Sequence, residues 1–196
     1  MTELILASAS PRRRELLAGM GAEFEVVVSD ADESGVSKDQ EPSLYVQELS
    51  LIKAAATAKQ VIKRKRALVI SADTIVVSEG RILGKPKDDA DAFNMLKALS
   101  GKAHEVYTGY CIMRMSDGYS YCKSVKTEVY FKDNSDEKIM RYIKTGEPTD
   151  KAGAYGIQGL GAMLIEKIHG DYFNVVGLPV SALAQSLADE FGVELL

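Results

Sequence analysis

Short apolar runs separated by helical patterns predict that the chain folds as a mixed α/β protein. Strands are predicted over residues 4–7, 24–29, 67–77, 106–115, 119–131, 163–168 and 173–176. Helices are predicted over residues 11–20, 43–66, 88–99, 135–144 and from Pro179 onward. Because helices and strands do not alternate strictly, we expect an elongated mixed β-sheet flanked by helices rather than a purely parallel sheet.

Two helix starts carry capping signals. Ser10 followed by Pro11 is typical of an N-cap and a first helical position, and Ser43 is interpreted as the cap of the long helix. Residues 63–66, all basic, are interpreted as the solvated end of that helix, because cations complement the negative end of the helix dipole. Contact with nucleic acid is the alternative for such a basic run.

The strand predicted over residues 67–77 contains an unusual acid. Its two β-branched runs are interrupted by Ser71–Thr74, which includes Asp73. Aspartate is depleted in strands and costly to bury unless a charge or a hydrogen bond compensates it. Asp73 is therefore a candidate functional acid, with a structural ion pair as the alternative.

Two cysteines flank a turn signal, Asp117-Gly118, which predicts a two-residue hairpin turn. A hairpin centred there places Cys111 opposite Ser124 and Cys122 opposite Met113, so we expect two reduced thiols that are not directly paired. Two cysteines without metal-ligand spacing favour a cytosolic protein.

Composition and charge narrow the class of protein. The 196 residues are enough to bury a core, and we expect a single domain over residues 1–196. With 24 basic and 28 acidic residues the formal net charge is -4, which disfavours a general nucleic-acid binder. The first apolar run is too short for a signal peptide, and no run approaches the ~18 apolar residues of a membrane span. We therefore expect a cytoplasmic protein that binds neither nucleic acid nor membrane.

Four separated polar segments predict phosphate chemistry if the fold brings them together. Residues 8–14 place hydroxyls and arginines at a helix start, where free N–H groups and guanidinium forks favour anions. An ordinary capped helix with a solvated arginine face is the alternative. Glu33, Asp73 and Lys85 add two carboxylates and a cation, although Glu33 and Lys85 are also typical of solvated turns. Two carboxylates together with phosphate oxygens suit Mg²⁺, which can activate water.

The same segments, in order, resemble the signature of one family. The motifs are Ser8–Arg13, the turn at Asp32-Glu33, Lys53, Ser71–Thr74, Gly84–Pro86, Gly101–Gly109, Lys151–Gly159 and Gly170–Pro179. Spread over nearly the whole chain, this set resembles the Maf nucleotide pyrophosphatases, also called septum formation inhibitor proteins. The resemblance implies a fold similar to that of the inosine triphosphatases, with the active site in a cleft between two lobes.

The resemblance also implies a role for each matching residue. Asp73 matches the catalytic acid and Glu33 the second carboxylate, and both would serve a divalent cation, Mg²⁺ or Mn²⁺. The substrate-binding pocket would consist of Ser8, Arg13, Lys53 and Lys85. The positions that the family associates with base selectivity match Arg12, Thr74 and Gln158.

The implied reaction is the hydrolysis of dTTP and UTP to nucleoside monophosphate and pyrophosphate, with water attacking the α-phosphorus. Modified pyrimidine nucleotides are an alternative substrate class, as in a house-cleaning enzyme. A nucleotide-binding regulator of cell division without physiological turnover is the alternative outside enzymes. Carboxylates beside phosphate favour catalysis, because a simple binder gains nothing from them. A homodimer remains compatible with the sequence.

Two further residue types invite a catalytic interpretation. His104 and His169 lack a neighbouring pattern that would build a triad, so we expect structural roles for both. Tyr155 lies in the glycine-rich segment 146–161, which we interpret as a functional loop. Its ring would either stack on a base or brace that loop.

Overall fold

A computed structural model describes residues 2–195, and within them the strands form one seven-stranded sheet. The strands are β1 (Glu3–Leu6), β2 (Phe24–Val26), β3 (Ala67–Ser78), β4 (Arg81–Leu83), β5 (Ala103–Arg114), β6 (Ser120–Phe131) and β7 (Ile165–His169). The helices are α1 (Pro11–Gly19), α2 (Pro42–Gln60), α3 (Asp89–Leu99), α4 (Asp136–Ile143), α5 (Tyr172–Val176) and α6 (Val180–Phe191). Short 3-10 turns occupy 147–150, 152–154 and 159–164.

The sheet combines parallel and antiparallel pairs. Its order is β2-β1-β3-β5-β6-β7, with β4 paired to β3. Strand β1 runs parallel to both β2 and β3, whereas β4 and β7 are antiparallel to their neighbours β3 and β6. The prediction of a mixed sheet flanked by helices is therefore confirmed.

The chain divides into two compact units, of which the first contains residues 1–73, 108–125 and 177–196. Because successive strand residues point to opposite faces, its strands support two apolar clusters. Leu68 of β3 packs in one cluster with Leu17 of α1. Val69, the next residue, packs in the other with Ala54 of α2. The first unit thus has helices on both faces of its strands.

The second unit contains residues 74–107 and 126–176. Its core brings Leu96 of α3 and Ile139 of α4 together with Val129 and Phe131 of β6. Val76, on the second half of β3, belongs to the same cluster. Strands β3, β5 and β6 therefore contribute residues to both units.

The long helix has different ends from those predicted. It begins at Pro42 with Glu41 at the N-cap, so the assignment of Ser43 as cap is wrong; proline is preorganised for the first helical position. It ends at Gln60, so the extension through residues 63–66 is also wrong. The basic run instead follows the helix, and its Arg64 pairs with Glu3 of β1 and with Glu25 of β2.

The segment 173–176 is helical, so the prediction of a strand there is wrong. The Asp171 carboxylate accepts the Phe173 N–H at 2.7 Å, which favours a turn at the start of α5. The Asn174 amide donates to the Val106 carbonyl at 3.1 Å and to Thr127 Oγ1 at 3.0 Å. These tertiary contacts override the β propensity of the two valines that follow.

The hairpin between β5 and β6 has a longer turn than Asp117-Gly118 indicates. The Arg114 N–H donates to the Tyr119 carbonyl at 2.8 Å, and five residues, 115–119, lie between the ends of the two strands. This register places Cys111 opposite Cys122, and each thiol shifts the pKa of the other. The expectation that the thiols are not directly paired is wrong.

Candidate active site

The junction of β1 and α1 supplies the first polar groups of the site. Ser8 is buried just beyond β1, and its Oγ accepts the Ser10 N–H at 3.2 Å. Ser10 Oγ in turn accepts the Arg13 N–H at 3.4 Å, which confirms the predicted cap. The Arg13 Nε donates to the Gly177 carbonyl at 2.8 Å, so its guanidinium is held from one side. Arg12 lies beside it, half-buried.

A buried hydrogen bond sets the register between α2 and β3 in the first unit. Ser71 Oγ donates to the Ser50 carbonyl at 2.5 Å. Lys53 is one helical turn beyond Ser50, and Asp73 is two strand residues beyond Ser71. Since residues i and i+3 share a helix face and residues i and i+2 share a strand face, both side chains point into the same space.

Two carboxylates meet the Lys53 ammonium in that space. Its Nζ is hydrogen-bonded to Asp73 Oδ1 and lies 3.2 Å from Glu33 Oε1. The side chains of Lys53 and Asp73 are only 16% and 17% exposed, while Glu33, on the loop before α2, is 45% exposed. The structure therefore joins three of the predicted residues in one ion-paired cluster.

Arg13 belongs to the same electrostatic environment. Burial lowers its pKa, and the negative charges of Asp73 and Glu33 oppose that effect, while Arg12 adds to it. An arginine remains charged under such conditions. The cluster thus combines partly buried cations with carboxylates, an arrangement that can hold a polyanion and also accept a proton from water.

Tyr45, a buried residue of α2, is a further neighbour of this cluster. Burial raises its pKa, and the charges of Asp73 and Glu33 raise it further. The phenol therefore stays protonated. Tyr45, Leu49 and Lys53 are spaced at four-residue steps on one helix face, and this periodicity is the signal that connects Tyr45 to Lys53.

The second unit holds the other predicted residues, on segments that meet at Gly153. The Gly153 N–H donates to the Gly84 carbonyl at 3.0 Å, next to the exposed Lys85. A Cβ at Gly153 would lie 3.0 Å from Val76 Cγ1, two residues beyond Thr74. With a φ of 68°, this position favours glycine on both grounds.

Gln158 follows five residues after Gly153 and is exposed at the start of a 3-10 turn. A carboxylate that sequence reasoning missed holds this turn. Glu147 Oε1 accepts the Gly161 N–H and the Tyr142 hydroxyl, and its Oε2 accepts the Leu160 N–H, each at 3.0 Å. The only sequence signal was the polar character of segment 146–161. Two hydrogen bonds from Glu147 thus fix the loop directly after Gln158.

Tyr155 anchors this loop to the core of the second unit. Its hydroxyl lies 2.7 Å from His104 Nε2, and its ring packs edge-on against His104 and Phe131. Tyr155 is 5% exposed, which leaves no face of the ring free for a base. Burial also lowers the pKa of His104 to about 4, so this histidine is neutral at physiological pH and has a structural role.

The donor set of the first unit fits a metal that arrives with phosphate. Within residues 2–195, no group of three or more His, Cys, Asp or Glu side chains is arranged to hold an ion. Glu33 and Asp73 nevertheless converge on one ammonium. Mg²⁺ is commonly bound by one or two carboxylates, with substrate phosphates and water completing its shell. Two carboxylates are therefore sufficient for an ion shared with a phosphate ligand.

Comparison with known families identifies the family of this chain. A family model with the description Maf-like protein matches residues 3–190. The chain belongs to the Maf-like protein family. The match includes both carboxylates, Lys53 and all of the segments that carry the predicted pocket, so the resemblance seen in the motifs is confirmed.

Close relatives of this Maf-like chain carry a specific name. A dTTP/UTP pyrophosphatase of Thermoanaerobacter sp. (strain X514) is 53% identical over 194 residues, covering 99% of this chain and all of the relative. Proteins of the same name from Clostridium novyi (strain NT) and Alkaliphilus metalliredigens (strain QYMF) are 51% and 50% identical, covering 98% and 100% of this chain and all of each relative. Among solved structures, a HAM1 protein from Coxiella burnetii is 17% identical, with a TM-score of 0.49 over 84% of this chain and 81% of that one.

Proposed function

We propose that this protein is a nucleoside triphosphate pyrophosphatase that hydrolyses dTTP and UTP to the nucleoside monophosphate and pyrophosphate. The observation that carries the proposal is the full-length identity of 53% to a dTTP/UTP pyrophosphatase. The geometry adds support, because Glu33 and Asp73 share Lys53 in a partly buried cluster next to Arg13.

In the proposed reaction, Asp73 accepts a proton from the attacking water. The oxygen of that water forms a bond to the α-phosphorus, the bond from this phosphorus to the bridging oxygen breaks, and pyrophosphate leaves. Ser8, Arg13, Lys53 and Lys85 bind the triphosphate oxygens. Preorganised cations of this kind stabilise negative charge in the transition state without reorganising at the moment of reaction.

Lys53 has a specific place in this scheme. In the absence of substrate its ammonium neutralises the two carboxylates. A triphosphate offers it stronger anionic partners, and Glu33 and Asp73 would then hold Mg²⁺ or Mn²⁺. Such an ion polarises phosphate oxygens and lowers the pKa of bound water.

Base selection is proposed for Arg12, Thr74 and Gln158. A primary amide such as that of Gln158 donates and accepts at once, which complements the adjacent carbonyl and imide N–H of uracil or thymine. The wrong base would leave the amide unpaired at a cost of about 1–3 kcal/mol, a discrimination of up to roughly a hundredfold. The hydrogen bonds that hold the turn around Gln158 support such a role.

A regulator of cell division that binds nucleotides without turnover is not favoured. Two carboxylates beside a phosphate site repel the ligand unless they take part in chemistry or metal binding. The relatives named as pyrophosphatases also favour catalysis.

We further propose that residues 1–196 act as one functional domain in the cytoplasm. Two cysteines without metal-ligand spacing support that compartment. None of the helices in residues 2–195 is both long and apolar enough to cross a bilayer. The proposed partner is the nucleoside triphosphate; a homodimer and the absence of nucleic-acid binding remain predictions.

The test is a product analysis over a panel of triphosphates, including methylated and modified pyrimidines. We expect UTP and dTTP to be hydrolysed to monophosphate and pyrophosphate, with activity abolished by EDTA and restored by Mg²⁺ or Mn²⁺. Orthophosphate and a diphosphate product would contradict the mechanism, and activity that persists in EDTA would exclude the metal. A modified pyrimidine with a higher kcat/KM than UTP would favour the house-cleaning alternative.

A further inference from the structure

Cys111 and Cys122 form a matched pair on neighbouring strands of the first unit. The Arg114 N–H donates to the Tyr119 carbonyl, and counting three residues back along β5 and three forward along β6 sets the two cysteines opposite each other. The same count extended by five residues pairs Val106 with Thr127, and the Asn174 amide does bridge those two residues. The backbone bond between Arg114 and Tyr119 sets this register, and the Asn174 contacts agree with it.

The two side chains also lie on the same face of the hairpin. Both pack in the cluster that contains Val69 and Ala54. Directly opposite residues in an antiparallel pair have Cα atoms about 4.5–5.5 Å apart, which falls within the span of about 4.4–6.8 Å that a disulfide bridges. The backbone thus requires no rearrangement to join the two sulfurs.

The members of the pair differ in exposure and acidity. Cys111 is fully buried, whereas Cys122 is partly exposed. The neighbouring Cys122 thiol, followed by burial, raises the pKa of Cys111. The neighbouring Cys111 thiol lowers the pKa of Cys122. Accessible thiols of low pKa beside a second thiol are the ones that oxidants convert to disulfides.

We propose that Cys122 and Cys111 form a hydroperoxide-sensitive dithiol that closes into an intramolecular disulfide. The Cys122 thiolate attacks one oxygen of hydrogen peroxide, a sulfur–oxygen bond forms as the oxygen–oxygen bond breaks, and the hydroxide released takes up the proton lost by the thiol. The Cys111 sulfur then attacks the Cys122 sulfenic acid, and water leaves with the Cys111 proton. Overall, two thiols lose two electrons and one peroxide is reduced to two waters.

This chemistry is separate from the proposed hydrolysis. Neither sulfur is among the groups assigned to the triphosphate or the metal. The cluster beneath the thiols does include Ala54, which follows Lys53 on α2, and Ala7, which precedes Ser8. The disulfide would therefore form in the packing layer that supports two residues of the candidate site.

The test uses the full chain, reduced and then exposed to hydrogen peroxide. We expect the intact mass to fall by two hydrogen atoms and a peptide map without reduction to link residue 111 to residue 122 in a monomeric product. Cys122 sulfinic acid without a disulfide, or disulfides only between chains, would overturn the proposal. This measurement depends on no substitution.

Variants at each cysteine separate the thiol that attacks peroxide from the thiol that closes the disulfide. Cys111→Ala should stop the reaction at a Cys122 sulfenic acid that dimedone captures, whereas Cys122→Ser should lower the rate of peroxide consumption at least about tenfold. Equal consumption by Cys122→Ser, with that variant shown to be folded by circular dichroism, would contradict the assignment of Cys122 as the attacking thiol.

Discussion

Asp73 pairs with Lys53 in a space that Ser71 and Ser50 define, so a substitution that removes only its charge tests its role. Asp73→Asn keeps the shape of the side chain but cannot accept the proton of the attacking water. We expect kcat for UTP to fall by roughly 10² to 10⁴. The matched control is Asp136→Asn, which breaks an exposed ion pair with Lys97 and should leave kcat unchanged. A folded Asp73→Asn enzyme with nearly full kcat would return this residue to a structural role.

Gln158→Glu tests the proposed role of this residue in base selectivity. The substitution replaces an amide donor with a second acceptor at almost constant size, and O4 of uracil would then face a carboxylate. We expect kcat/KM for UTP and dTTP to fall at least about tenfold, or about 1.4 kcal/mol. Activity on CTP, whose exocyclic amine is a donor, should fall less or rise.

The ratio between bases is the informative readout for Gln158. A uniform decrease for all bases would mean that the loop around residues 146–161 has shifted. An unchanged ranking with unchanged rates would remove Gln158 from base selection.

His104 makes the stability of the second unit dependent on pH. Its folded-state pKa of about 4 lies below the unfolded value of about 6.5. Between these values the unfolded chain binds a proton that the folded chain does not, so the free energy of unfolding decreases as the pH falls. Near pH 5 the loss should be about 2 kcal/mol relative to neutral pH. Denaturant titrations at both pH values measure it.

Two variants isolate the contribution of His104. His104→Gln cannot titrate and should lose less stability over the same pH interval than the unsubstituted chain. His169→Gln changes a side chain that is 87% exposed and should behave as the unsubstituted chain. Identical pH dependence in all three proteins would mean that His104 does not govern acid sensitivity.

Single residues differed in how clearly the sequence pattern indicated their roles. Asp73 was identifiable because an acid within a β-branched strand conflicts with local propensity. Glu147 was not, since an acid in a polar loop is ordinary until its hydrogen bonds to Leu160 and Gly161 are known. Tyr45 gave no functional signal either, because an aromatic residue fits the apolar pattern of a helix.

At the scale of elements, the site depends on how closely α2 approaches β5 in the first unit. A Cβ at Gly109 would lie 2.3 Å from the Val46 carbonyl oxygen, which only backbone movement can relieve. We expect Gly109→Ala to cost about 1–3 kcal/mol of stability and to lower kcat, because α2 carries Lys53. Thermal unfolding and steady-state kinetics measure both effects.

Gly19→Ala is the matched control for that prediction. Gly19 ends α1 and has no neighbour within 4 Å of an added Cβ, so the substitution should be neutral or slightly stabilising. Unchanged stability and unchanged kcat in Gly109→Ala would contradict the close packing of α2 on β5.

Elements with strong local signals were predicted, and those set by tertiary contacts were not. The Ser10 cap and the strands β1, β3, β5 and β6 follow from capping chemistry and apolar runs. The strand β4 was missed, although its turn contains Gly80 with a φ of 74°, because its three residues carry too short a pattern. The helix α5 was read as a strand because its start depends on Asp171 and on contacts of Asn174.

At the scale of the whole molecule, charge is concentrated rather than spread. The chain has a formal net charge of -4, but Arg12, Arg13 and Lys53 gather in the first unit beside two carboxylates. A local group of cations can bind a small polyanion while the acidic remainder disfavours nucleic acid. The motif order predicted this family, its reaction and a two-lobed fold, whereas the bounds of the two compact units followed only from the contacts.

The central claim is that water attacks the α-phosphorus of UTP or dTTP, and isotope transfer tests it most directly. The enzyme is given UTP in water labelled with heavy oxygen, and the products are separated and weighed by mass spectrometry. We expect label in UMP and unlabelled pyrophosphate, with neither product formed by Asp73→Asn at a comparable rate. Label in pyrophosphate or orthophosphate, or no turnover of UTP and dTTP by the folded protein, would contradict it.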